Sequence, residues 1–273
     1  MKNIIKSNMK LVFALALWAV AYMPAVLWMW NGWWSRDSYY SHGVLIPFVS
    51  AFLIWQIRDE LKTMKPKESP WGMRLILSGV FIYLFASMFR INSLSAVSML
   101  VVFIGLVFYF YGEEIFKKIA FPVLFLVFMI PLPAVVIARL SFNLKLFAAD
   151  LAEGVLNGIG ILAMREGSII KMRHAQVVVD DVCSGLRSLI SLMALGSIFA
   201  YWFKGAMWKR VLIFVFTVPI AIITNMCRVV ILAFIAEGWG VEYADGFIHD
   251  ATGMMVFVLA FILLYVVVKL LED

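Results

Sequence analysis

The chain has 273 residues, 64% of them hydrophobic and 15% charged, with a mean hydropathy of +0.97. So little charge cannot cover the surface of a soluble domain of this length. The formal charge of +6 reads as basic residues fixing cytoplasmic loops, so membrane lipid is an expected partner and nucleic acid is not.

In chain order, Met1 to Lys10 is basic and the apolar run Leu11 to Met29 follows it. The run is longer than a typical signal core and no small-residue cleavage site stands out, which predicts an uncleaved signal anchor. Apolar runs of about spanning length predict transmembrane helices over 11–30, 42–57, 74–90, 94–111, 119–137, 184–203, 211–235 and 251–269. The fold expected is an all-α integral membrane protein, a bundle of about eight transmembrane helices with a small extracytoplasmic hairpin. Residues 1–273 are expected to form one domain.

The loops support the same reading. Trp33, Trp34, Tyr39 and Tyr40 in the first loop, with Trp28 and Trp30 before it, resemble an interfacial aromatic belt. The second loop, Arg58 to Met73, holds Lys62, Lys65, Lys67, Pro66 and Pro70 and is aqueous. Gly112 to Lys118 and Lys204 to Arg210 are short hydrophilic turns.

Eight crossings with the N-terminus inside place both termini in the cytoplasm. On that side would lie Lys2, Lys6, Lys10, Arg58, Lys62, Lys65, Lys67, Arg74, Lys117, Lys118, Lys204, Lys209, Arg210 and Lys269, 14 of the 23 basic residues. The bias is concentrated in short loops, where the positive-inside rule has force.

The segment 138–182 departs from the short-loop pattern and falls outside in this topology. Residues 140–157 have apolar positions at helical spacing among Asn143, Lys145, Asp150 and Glu153, as in an amphipathic or re-entrant helix at the interface. Gly158 and Gly160 end it. Ile161 to Val179 reads as a β-hairpin turning at Arg165-Glu166-Gly167, with the β-branched run Val177-Val178-Val179 in its second strand.

Three residues stand out for chemistry. Cys183 lies in Asp180-Asp181-Val182-Cys183-Ser184-Gly185-Leu186-Arg187. With Asp180 or Asp181 as N-cap, it would occupy the first turn of the sixth span. Free N–H groups and the helix dipole favour a thiolate there. Arg187 adds positive field on the same face, and Gly185 permits close backbone approach. The alternative is a small packing residue, the usual fate of a membrane cysteine.

Arg228 interrupts the run Val211 to Ile235. An arginine there is costly unless it is paired, faces a polar cavity or snorkels, and Asn225 shares its face. His249 opens the last span beside Asp250, with Glu237, Glu242 and Asp245 in the same loop. It is either an ordinary capping group or a catalytic base. His42 opens the second span at the same depth, and His174 reads as a surface residue of the hairpin.

Topology brings Cys183, Arg228, His249 and His42 to one face, the non-cytoplasmic one. Thiolate, imidazole and guanidinium are the parts of covalent acyl transfer. Two other classes remain open: a transporter, since polar residues in spans often line substrate paths, and a thiol oxidoreductase using Cys183 and Cys227. The first would need determinants near the midplane as well, and the second normally a CxxC, which is not present. A histidine-ligated metalloprotease is disfavoured because His42, His174 and His249 are the only histidines and no HExxH occurs. No cofactor or metal is expected.

Three short motifs carry a resemblance: Cys183-Ser184-Gly185-Leu186-Arg187, Asn225-Met226-Cys227-Arg228-Val229 and His249-Asp250-Ala251-Thr252-Gly253. With Tyr40-Ser41-His42-Gly43-Val44-Leu45-Ile46-Pro47 and Pro131-Leu132-Pro133, the chain resembles the exosortase/archaeosortase family of membrane-embedded cysteine transpeptidases.

The resemblance implies Cys183 as nucleophile, with Arg228 and His249 completing the site; the reading of the residues themselves adds His42, Arg187, Asn225 and Asp250 in supporting positions. It implies substrates that are exported proteins ending in a recognition motif, a transmembrane helix and a basic tail (PEP-CTERM or related signals). It also implies an acyl acceptor that is lipid- or polysaccharide-linked, and residence in the cytoplasmic (inner) membrane with the site on the extracytoplasmic face. Family members often have alanine before the cysteine, where this chain has Val182. Some carry a further C-terminal domain; this chain ends at Asp273, so no second activity is expected.

Overall fold

The computed structural model describes residues 2–35, 38–180, 183–244 and 246–272, without the side chains of residues 2–8 and 250. The chain divides into two compact units, Met1–Pro133 and Ala134–Asp273.

The first unit begins with α1 (Lys2–Ala21) and α2 (Met23–Trp33). The single span expected over 11–30 is instead bent by 57° between them. Pro24 is the cause, because it offers no N–H to the preceding turn and its ring crowds the carbonyl four residues back. A 3₁₀ turn, Ser41–Val44, leads into α3 (Leu45–Gln56), followed by α4 (Arg58–Thr63). Gly43 sits against the Trp33 indole, where a Cβ would come within 2.3 Å of Nε1. That indole N–H donates to the Met129 carbonyl at 2.8 Å.

The helices α5 (Pro70–Met88) and α6 (Asn92–Phe110) pack along each other. Glycines set their separation. A Cβ on Gly72 would lie 2.4 Å from the Tyr109 nitrogen, one on Gly79 2.5 Å from Val102, and one on Gly105 2.8 Å from the Ile76 nitrogen. Small residues that let backbones approach are how helices gain packing energy where the surrounding lipid is equally apolar. The unit closes with α7 (Glu113–Phe125), which carries Pro122 and tightens into a 3₁₀ turn over Leu126–Met129. The span expected over 119–137 therefore does not run as one helix. Ser50 on α3 donates to the Pro122 carbonyl at 2.7 Å.

The second unit starts with α8 (Ala134–Gly158), a 25-residue helix where a shorter amphipathic one was expected. Three short antiparallel strands follow: β1 (Met164–Glu166), β2 (Ile169–Lys171) and β3 (Gln176–Val178), in that spatial order. The expected hairpin is thus a three-stranded meander. Its first turn uses Gly167 at φ +65°, and its second is the stretch Met172 to Ala175, closed by the Met172 N–H on the Ala175 carbonyl at 2.9 Å.

Side chains fasten this sheet. Asn157 exchanges two 3.0 Å bonds with the Ala163 backbone, Glu153 accepts from the Arg165 N–H at 3.2 Å, and Asp150 pairs with the Arg165 guanidinium at 3.3 Å. Lys171 pairs with Glu166 and holds that carboxyl below its ordinary value.

The remainder is α9 (Leu186–Trp202), α10 (Met207–Trp239), α11 (Val241–Ala244) and α12 (Phe247–Glu272). The 33-residue α10 is the axis of this unit and packs against α8, α9, α11, α12 and β3. At 1.5 Å per residue it is about 50 Å long, well beyond the roughly 30 Å of a hydrocarbon core. One or both of its ends must therefore leave the apolar layer.

Among the described residues, α5, α6, α10 and α12 are each long and apolar enough to cross a membrane, with up to six spans if consecutive broken pairs count as one. Ser41–Gln56 and Leu186–Trp202 are apolar but shorter. The protein is a helical membrane protein, and the expected eight crossings are reached only by adding those short helices to the broken pairs.

Candidate active site

Cys183, Arg228 and His249 come from three separate segments of the second unit. Cys183 stands before α9, where its N–H donates to the Asp180 carbonyl at 2.9 Å. It does not occupy the first helical turn, as expected from an aspartate cap. Gly185, in the left-handed conformation at φ +80°, is the N-cap and the helix begins at Leu186. The turn is closed by the Leu186 N–H on the Ser184 hydroxyl at 3.3 Å and by Ser188 donating to the Gly185 carbonyl at 2.9 Å. Asp181 and Val182 lie outside the described residues. The positive end of the α9 dipole acts on the thiol more weakly than it would within the first turn, because the thiol sits just beyond the helix start.

His249 lies in the first turn of α12. Its Nε2 is 3.7 Å from Cys183 Sγ, within reach for a sulfur–nitrogen hydrogen bond or a thiolate–imidazolium pair. Arg228, only 8% exposed on α10, donates from Nη2 to the His249 main-chain carbonyl at 3.3 Å. Thr252 donates to the same oxygen at 2.9 Å. Two donors on one carbonyl fix where the imidazole starts from.

One turn earlier on α10, Asn225 donates to the Cys183 carbonyl at 2.8 Å. One face of α10 therefore holds the backbones of both the cysteine and the histidine. Gly185 is required in that arrangement, since a Cβ there would lie 2.8 Å from the Asn225 side chain.

Two cavities meet at His249. One, about 220 Å³, runs between β3 and α10, with Cys183 and His249 in its wall. The other, about 230 Å³, is lined by Arg187, Arg228, Asn225, Gly253 and His249. Cys183 lines the first and Arg228 the second, so the guanidinium reaches the thiol's surroundings through His249. Cys227 lines neither and is not joined to Cys183 in a disulfide.

The other expected site residues divide. Arg187 and Asn225 line the second cavity. His42 belongs to the first unit, where its ring stacks on Tyr40 at 5.9 Å. The side chain of Asp250, and Asp245 altogether, lie outside the described residues. Glu237, one candidate for orienting the imidazole, instead accepts the N–H groups of His174 and Ala175 at 2.9 and 3.1 Å, latching the sheet to α10.

Sequence reasoning missed two contributors. Thr252 is signalled by its position three residues after His249, one turn along the same helix face. The wall formed by Gln176 to Asp180 carries no such signal, because these residues are recruited by the path of the sheet.

Among the described residues no group of three or more histidine, cysteine or acidic side chains is placed to hold a metal. Residues 33–266 match the family model described as transmembrane exosortase. No curated protein and no solved structure matches the chain.

Proposed function

Because the chain belongs to the transmembrane exosortase family and so is a membrane-embedded sorting transpeptidase in general terms, we propose that it cleaves exported proteins at a C-terminal tripartite signal with Cys183 as nucleophile. The observation that carries the reading is the 3.7 Å approach of Cys183 Sγ to His249 Nε2 at a cavity wall.

In the first half-reaction, the thiolate adds to the scissile carbonyl and the imidazolium of His249 protonates the departing amine. The C–N bond breaks and a thioester forms. In the second, a nucleophile on a lipid- or polysaccharide-linked acceptor, or water, gives its proton to His249 and attacks the thioester. Thiolate and imidazolium are restored, and atoms and charge balance over the cycle. Arg228 holds the carbonyl of His249 and supplies positive charge that favours the thiolate. Arg187 and Asn225 support the loop before α9. Asp250, which follows His249 directly in the sequence, keeps its expected supporting role. The chemistry runs at the extracytoplasmic face of the cytoplasmic membrane.

The test is cleavage of a membrane-anchored reporter that carries a tripartite tail, in membranes containing the full-length protein. Cys183→Ala is expected to abolish cleavage and thioester trapping, while Cys227→Ala retains most of both. Continued cleavage in Cys183→Ala would overturn the reading. Equal loss in a folded Cys227→Ala protein would favour dithiol chemistry instead.

A further inference from the structure

The cavity that holds Cys183 and His249 has a strand for its opposite wall, and among the described residues no strand pairs with that strand's outer side. In the sheet order β1-β2-β3, β3 is an edge. Its pairing register sets Ile170 opposite Val177. The Val179 N–H donates to the Ser168 carbonyl at 2.8 Å, and the Met172 N–H donates to the Ala175 carbonyl at 2.9 Å. Antiparallel ladders alternate, so Val177 and Val179 turn their peptide groups towards β2, as does the Ala175 carbonyl, while the Ala175 N–H is held by Glu237. The peptide N–H and C=O of Gln176 and Val178 then point away from β2, to the open edge. The same stretch, Gln176 to Asp180, lines the cavity together with Cys183 and His249.

We propose that the exported protein's segment carrying the scissile bond binds as an added strand on β3. It pairs with the peptide groups of Gln176 and Val178 while its carbonyl is presented to Cys183. This deepens the reading of Cys183 as nucleophile and rests on it.

Strand addition obtains affinity from main-chain bonds and selectivity from alternate side chains. Substrate residues on the inner face meet Val229 and Leu232 of α10 and are apolar and of modest size. Those on the outer face are unrestricted. The segment must also be unwound next to the substrate's own transmembrane helix, which excludes substrates whose helix continues unbroken through the scissile bond.

The experiment uses the full-length protein in membranes and two scans. Val178→Pro removes an N–H that the sheet does not use, and proline is tolerated in an edge strand when its nitrogen faces outward. Loss of that single main-chain bond should lower kcat/KM for the reporter roughly 5- to 10-fold, chiefly through KM, with the alkylation rate of Cys183 by iodoacetamide unchanged. Proline placed in turn at each reporter position flanking the scissile bond should impair cleavage at every second position.

Wild-type kcat/KM in Val178→Pro, or sensitivity in the reporter scan without a period of two, overturns the proposal. Should Val178→Pro not accumulate, the reporter scan decides alone, since it leaves the enzyme untouched. Either failure, with Cys183→Ala still inactive, leaves the nucleophile standing. Cleavage by Cys183→Ala removes both.

Discussion

Asn225 and Arg228 reach the site from one face of α10 but act on different peptide groups, the carbonyls of Cys183 and His249 respectively. Buried carbonyls in a membrane helix environment have no water to fall back on, and an unsatisfied one costs on the order of 1–3 kcal/mol. Arg228 also brings a charge, and the two contributions separate by substitution. Lysine keeps the charge and loses the planar fork. Arg228→Lys is expected to lower kcat for reporter cleavage about 10- to 100-fold with little change in KM, because His249 is no longer anchored by a guanidinium. Its alkylation-versus-pH profile at Cys183 should stay close to that of the wild type. In Arg228→Ala that profile should move to higher pH, since losing a nearby cation disfavours the thiolate. Wild-type turnover in Arg228→Lys would reduce the residue to a charge alone.

The loop before α9 depends on Gly185 more than on either aspartate. An alanine there would carry about 1–2 kcal/mol of left-handed strain and also push its Cβ to 2.8 Å from Asn225, breaking the tether on Cys183. Gly185→Ala is therefore expected to abolish reporter cleavage and to lower the thermal midpoint in detergent. Gly158→Ala, where a Cβ meets nothing within 4 Å, should change neither. How far elements can be read from sequence follows the same local logic. The runs over 74–90, 94–111, 211–235 and 251–269 became α5, α6, α10 and α12 with shifted ends, and α10 stays helical through Pro219. The run at 11–30 breaks at Pro24, while the run at 119–137 keeps Pro122 inside α7 and leaves helix only at Pro131-Leu132-Pro133, where missing proline N–H groups outrank hydropathy. Cys183 looked helical because Asp180 and Asp181 are good caps, but only Gly fits the left-handed position, so the helix starts later. The approach of Cys183 to His249 was legible as a shared face and not as a distance, which depends on Asn225, Arg228 and Thr252 together.

Orientation belongs to the whole molecule, and only charge speaks to it. If the basic loops are cytoplasmic, a membrane-impermeant thiol reagent added outside should label a cysteine placed at Gly167 in a Cys183→Ser, Cys227→Ser background. It should miss cysteines at Lys65 and Lys209. Protection of position 167 with labelling of the other two would invert the molecule and put the Cys183 cavity on the cytoplasmic side. Each unit also has its own way of holding together. The second is organised on one long helix and tied by polar side chains to a small sheet. The first relies on backbone proximity, with Gly72, Gly79 and Gly105 at the α5–α6 seam and Ser93, Ser95 and Ser98 buried on α6. That seam has a consequence for biosynthesis. A nascent chain that has delivered α5 but not α6 shows lipid, at Gly72 and Gly79, a groove shaped for another backbone, and α6 alone shows the matching groove at Gly105. The two are therefore expected to leave the translocation machinery as a closed pair, and the turn at Phe89 to Ile91 is short enough that synthesis barely separates them.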